Sequence, residues 1–419
     1  MVGSPTLLLR GVQTLMGPGQ PLQCSDVWIG AGEMLAVAPE DTDAAMVLDA
    51  QSLLLAPCLV DPHSLLEEHL QGRAETLDSL MAAAAAGGYG TVAVLPQAEP
   101  WRDRPELLLQ PGEPQARVLS WGAFSNGGAN RELAPHAELL AAGAIGLAGG
   151  AQLPPTALVE KALRLGEALA HPLLLAPRDA SLTGGGFLRE RVEALRLGWP
   201  TDPAVSETLP LQTLLALARL HPRQPLRLMN LSTDEGVALL RQAGAEAPQA
   251  SVCWWHLVAD SANLAPHDEG WRMEPSLGAP RDRQALIAAL ADGVITAVAV
   301  HHSAQDHEEQ LLPLDQRRPG VAGHGLVLSL LWQELVVAGG WTPEQLWQAL
   351  CWGPCAFLGL PPEQLGPGCR RWLLFDPQRP WQPASQPLPS QAANQPFRER
   401  QLTGQVVASG LSDPATWQV

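Results

Sequence analysis

Histidine 63 closes the stretch VDPH, directly after the apolar run LLLAPCL. An imidazole at the end of a strand can ligate a metal or move a proton. Strand side chains alternate between two faces, so a second ligand on the face of His63 belongs two residues later. That position holds Leu65, which has no lone pair to give. More histidines stand far along the chain: His256 in WWHL, and His301, His302 and His307 in HHSAQDHEE. The plain reading makes His63 a structural histidine at a strand end and HHSAQDHEE a solvated polar loop. Two chemical readings compete with it. One is a relocated metal site on His301 with His63 or His256; the other is metal-free acid–base work by His301. Beside Trp254 and Trp255, His256 is expected to pack.

Eight short apolar runs must position these residues: LLLAPCLVDPH, YGTVAVLP, ARVLSWGAF, AIGLA, HPLLLAP, LRLMNLS, ASVCWWH and ITAVAVHH. Helical patterns such as ETLDSLMAAAAAG, TALVEKALRLGEAL and RQALIAALADG separate them, and several end in glycine, as helix C-termini do. Continuous apolar strands alternating with helices indicate parallel strands buried on both faces. Eight such units predict an α/β fold, a (β/α)8 barrel over residues 52–362, with its reactive groups at the C-terminal strand ends. Residues 1–51 and 363–419 alternate over shorter stretches broken by Gly and Pro. They predict one small β-sandwich domain built from both termini.

The Pro- and Gln-rich segment near 377–396 reads as a flexible tether, with a partner-binding segment as the alternative. Most of the 14 tryptophans are expected in the core. Those between 332 and 352 could instead face a partner, since large aromatics anchor interfaces.

A formal charge of -17 argues against nucleic acid, whose phosphates need a basic face. No apolar run reaches the roughly 18 residues of a membrane span. Six scattered cysteines and an N-terminus without a basic, apolar leader predict a cytoplasmic protein with reduced thiols.

VDPHSLLEE, AAAAGGYGTVAVLPQAEP, DGVITAVAVHH, GPCAFLGL and GPGCRRWLLFDP followed by NQPF resemble dihydroorotases of the amidohydrolase superfamily, in order over most of the chain. The resemblance implies a TIM barrel of the metal-dependent hydrolase type with a composite β-sandwich. It also implies zinc at the strand ends and reversible cyclisation of carbamoyl-aspartate to dihydroorotate in pyrimidine biosynthesis.

Position by position, the implied site is degenerate. His63 matches the first ligand of His-x-His, but Leu65 replaces the second. Glu67 replaces the Arg that binds the substrate carboxylate. Gln97 stands for the Asn that helps hold substrate. Two further ligand histidines fall on Ala176, with Asp179 still closing that motif, and on Asn230, before Ser232-Thr233. The catalytic Asp falls on His301, although the His after it survives as His302. Leu147-Ala148-Gly149-Gly150 carries no carboxylate, and Lys161, the only lysine, sits in a helix and supplies no bridging carboxylate.

A catalytic zinc needs about three protein ligands. Of the implied histidine set only His63 remains, so the zinc is expected to be lost and no other cofactor is expected. At Glu67 a like-charge contact near ~4 Å would cost about 1 kcal/mol in water and about 4 at an effective dielectric of 20. The sequence therefore reads as a pseudoenzyme, a dihydroorotase-like protein with a structural or regulatory role. The partner implied by the resemblance is aspartate carbamoyltransferase, and a homo-oligomer is compatible with it. The alternative is an active cyclic-amide hydrolase, a dihydroorotase or related amidohydrolase, with a site rebuilt on His301 and His302.

Overall fold

The computed structural model describes residues 6–38, 46–68, 72–109, 116–168, 171–386 and 389–418. His69 and Leu70, which follow VDPHSLLEE, lie outside the described residues, as do 387–388 within the Pro/Gln segment.

Eight parallel strands follow the eight apolar runs: β1 Leu59–Ser64, β2 Tyr89–Val94, β3 Arg117–Ser120, β4 Leu147–Ala148, β5 Leu173–Leu175, β6 Leu226–Leu228, β7 Gln249–Cys253 and β8 Ala297–Ala299. Gly122–Ala123 continues β3 past Trp121 and pairs with β4. The circle closes where His301 N–H donates to His63 O (3.1 Å) and Leu65 N–H donates to His302 O (2.8 Å). Their interior is apolar, as burial on both faces requires. Val60, Ala93, Trp121, Ala148, Leu174, Met229 and Ala297 form one cluster inside, joined by Phe357 and Leu358.

Local signals set the helix boundaries. Thr76 and Ser79 form a reciprocal capping box at the start of Leu77–Ala86. The glycines of AAAAAGGYG end that helix, and Gly87 must be glycine on contact grounds. A Cβ there would lie 2.0 Å from the carbonyl oxygen of His324. Thr233 caps Asp234–Ala243 by accepting the Gly236 N–H at 2.9 Å.

Strands from both chain ends share one seven-stranded sheet. Thr6–Thr14 pairs with Gln23–Gly30 and with Leu54–Pro57, and Leu54–Pro57 pairs with Trp372–Trp381, which pairs with Leu402–Ser409. Leu54–Pro57 thus joins the terminal sheet, and the barrel starts at Leu59 rather than at residue 52.

One reading is corrected. The segment after 388 is not a free tether. Asn394 is buried, accepts the Gln305 N–H (3.0 Å) and donates to the carbonyls of Ser303 (2.8 Å) and Gly320 (3.0 Å), strapping the loop after β8. Of the tryptophans between 332 and 352, Trp332, Trp347 and Trp352 are buried in the core and Trp341 is partly buried. Among the described residues no helix is long and apolar enough to cross a membrane.

Candidate functional site

Asp61 organises the end of β1. Fully buried, it accepts the Val300 N–H (2.9 Å), the Ser64 hydroxyl (2.5 Å) and a bond from His324 Nε2 (2.9 Å). Two residues on, His63 is also fully buried. Its Nε2 meets Ser251 Oγ at 2.8 Å and its Nδ1 meets His301 Nδ1 at 3.0 Å. Phe357 lies beside its ring, centroids 6.3 Å apart. Serine, histidine and a second histidine in series are the parts of a nucleophilic relay. Ser251 is fully buried, however, and lines none of the cavities described below, so the relay is a structural bond between β1, β7 and β8.

The two histidines after β8 point to different neighbourhoods. His301 turns inward to His63 with a left-handed backbone (φ 47°). His302 turns away, fully buried, with Nε2 3.1 Å from Glu75 Oε2 and its ring 5.1 Å from that of His324. HHSAQDHEE is therefore not a solvated loop: Glu75, the start of Leu77–Ala86 and the strap cover its first half, and only His307 begins an exposed helical turn. His256 packs as expected, buried, with Nε2 3.1 Å from Pro275 O, and does not join His301.

The remaining positions divide between two cavities. Leu65, Glu67 and Gln97 line a cleft of about 560 Å³ between the loops after β1, β2 and β8, together with Glu75, Trp101 and Arg318. Ala176, Asn230 and His301 line a separate hole of only about 20 Å³ at the C-terminal strand ends, with Arg178, Met229 and Glu274. Glu67 is exposed and pairs with Arg318, so its charge is answered rather than left to repel. Asp179 caps a short helical turn through the Ser181 N–H (2.9 Å), out at the surface.

Zinc does not fit the residues present. His63 and His301 spend their Nδ1 atoms on each other, Leu65 and Ala176 have no donor, and Asn230 offers a weak amide oxygen. Among the described residues one acidic trio has metal-ligand spacing: Asp234, Glu235 and Asp282. Arg191 already occupies it, at 2.8, 2.6 and 2.9 Å.

Burial holds His63, His256 and His301 neutral. Burial pushes His301 and His256 down to about 4, and burial with the neighbouring His301 puts His63 well below its usual range. Burial alone would raise Glu75, but His302, Ser390 and Ser79 outweigh it and leave the carboxyl low. The unfolded chain titrates histidine near ~6.5. From there down to about 4 it therefore binds more protons than the fold, and stability falls as pH falls. His301 and His256 alone give a slope of about 2.7 kcal/mol per pH unit within that window, and His63 adds to it. Urea midpoints measured from pH 7 to 4 should drop accordingly. His301→Asn, which tolerates the left-handed backbone, should remove about 1.4 kcal/mol per pH unit from the slope; an unchanged slope would show that His301 titrates normally.

The fold and site can now be set beside known proteins. No family model matches the chain. It is 36% identical over 406 residues to a probable dihydroorotase-like protein of Synechocystis sp., covering 88% of this chain and 90% of that one. It is 30% identical over 414 residues to the dihydroorotase of Anaeromyxobacter dehalogenans, covering 96% and 95%. The chain belongs to the dihydroorotase family. The fold agrees: the L-hydantoinase of Arthrobacter aurescens superposes with a TM-score of 0.77 at 17% identity, covering 96% of this chain and 94% of that one.

Within the dihydroorotase family frame, sequence reasoning missed Asp61, Glu75, Ser251, Arg318 and His324. Asp61 lay two residues before His63 in the same motif. His324, flanked by glycines in GHG, was the one local signal for a tightly packed histidine. Glu75, Ser251 and Arg318 carry no local mark.

Proposed function

We propose that the protein is a catalytically silent, dihydroorotase-like member of pyrimidine biosynthesis, acting in the cytoplasm as a structural or regulatory partner of aspartate carbamoyltransferase. One observation carries this reading. The positions that would bind metal do not face one cavity: Leu65 lines the outer cleft beside Glu67 and Gln97, His63 lines neither, and Ala176 and Asn230 line the inner hole, which at about 20 Å³ has room for little more than a water. Small-molecule sites run to about 300–1,000 Å³. The divergence of His301 from His302 counts against a hydrolase rebuilt on that pair.

Metal content tests the reading directly. Protein purified without chelator should retain less than about 0.2 zinc per chain after dialysis, because isolated histidines do not hold zinc against water. Stoichiometric zinc, lost in His301→Ala or His302→Ala, would overturn the silent reading. For the partner, mixing with aspartate carbamoyltransferase should give an earlier-eluting complex by size exclusion; two independent peaks would remove that part of the proposal.

A further inference from the structure

We infer that the small hole at the C-terminal strand ends binds one ordered water molecule, held by the side-chain amide of Asn230. Asn230 is 3% exposed, and neither its Nδ2 nor its Oδ1 has a protein partner within hydrogen-bond reach. It lines the hole, as does Arg178, whose Nε is buried without a hydrogen-bond acceptor. Leaving a buried polar group unsatisfied costs about 1–3 kcal/mol, so a native fold supplies a partner where space allows. The hole offers about 20 Å³ to the centre of a water, enough to seat one.

The chemistry of the wall favours water over an ion. Asn230 presents a donor and an acceptor together, and water satisfies both, whereas a halide satisfies donors alone and a cation acceptors alone. No net charge is spare. The Arg178 guanidinium lies 3.3 Å from Glu274, and the Glu207 oxygens are committed to Arg189, Ser232 and Thr233. The backbone holds the site open: Asn230 (φ 52°) and His301 (φ 47°), following β6 and β8, are both left-handed non-glycine residues facing this hole. Such conformations persist only where the surroundings fix them. The wall offers this water a neutral imidazole and an amide, neither of which acidifies it as a bound zinc would.

This inference is independent of whether the protein turns over a substrate, and its test reads positions rather than rates. Crystals of the full chain, grown with bromide in place of chloride, should show one peak about 2.7–3.2 Å from the Asn230 amide and no bromide signal there. In Asn230→Gly, which suits the left-handed backbone, that peak should move or vanish. A bromide or zinc anomalous peak in the hole would overturn the inference. So would an empty hole with the amide turned onto protein atoms, or a peak unmoved in the glycine variant.

Discussion

The purified chain should not cyclise carbamoyl-aspartate or hydrolyse dihydroorotate above background, and no single restoration should rescue it. Residues that act as a unit are strongly non-additive. Leu65→His would place an imidazole at the wall of the outer cleft, while Ala176 and Asn230 line the inner hole. Glu67→Arg would discard the pair with Arg318 and set two guanidiniums together. The combination Leu65→His, Glu67→Arg, Ala176→His, Asn230→His and His301→Asp should remain weak. Ala176 is 7% exposed, and an imidazole there must force its way into a packed wall at about 1–3 kcal/mol. The hydrogen bonds that orient ligands would also be missing. The assay follows dihydroorotate by ultraviolet absorbance, with added zinc, for the wild type and each variant. Robust wild-type turnover that survives chelation, or that disappears in His301→Ala, would make His301 catalytic and end the silent reading.

The largest loss of stability should come from Arg189, which stands behind the inner hole, bonded to Glu207 in its wall. Arg189 is 1% exposed and bonds Asp202 (3.1 Å), Glu207 (3.0 Å), Ser206 (2.9 Å) and Ser232 (2.7 Å). Asp202 and Glu207 are themselves buried. In Arg189→Met both carboxylates stay behind without their cation, and breaking a buried pair from one side costs about 3–5 kcal/mol. The surface pair Arg241–Asp292 (2.6 Å) is the control, since exposed pairs contribute about 0–1 kcal/mol. Denaturant midpoints of Arg189→Met and Arg241→Met should therefore differ widely. Equal shifts would mean that the buried network relaxes around the loss.

Patterns that repeat within a few residues were legible in the sequence. Eight apolar runs gave eight strands because burial on both faces leaves a continuous apolar signature. The leucine at 65 and the alanine at 176 stood out as missing histidine ligands only against the resemblance, which implies histidines at those positions. What escaped was everything decided by a partner elsewhere in the chain. Glu67 read as a repulsive charge because nothing near it announces Arg318. HHSAQDHEE read as solvated because its own composition is polar, while its cover comes from Glu75 and from residues 389–395. The division of the site into two cavities belongs to the same class, since it depends on where several loops settle.

The pairing of Leu54–Pro57 with Trp372–Trp381 sets an order on the protein's birth. An early strand of the chain leaves the ribosome with its neighbour not yet synthesised, and must wait while the whole barrel emerges. Its apolar residues Leu54 and Leu55 are, for that interval, an exposed strand edge of the kind that recruits other chains or chaperones. The loop after β8 is in the same position, because Asn394, which fastens it, lies 89 positions after Gln305. The mouth cannot be fastened until that residue has been made, and a nascent chain arrested short of residue 394 carries the barrel's strands without its fastening.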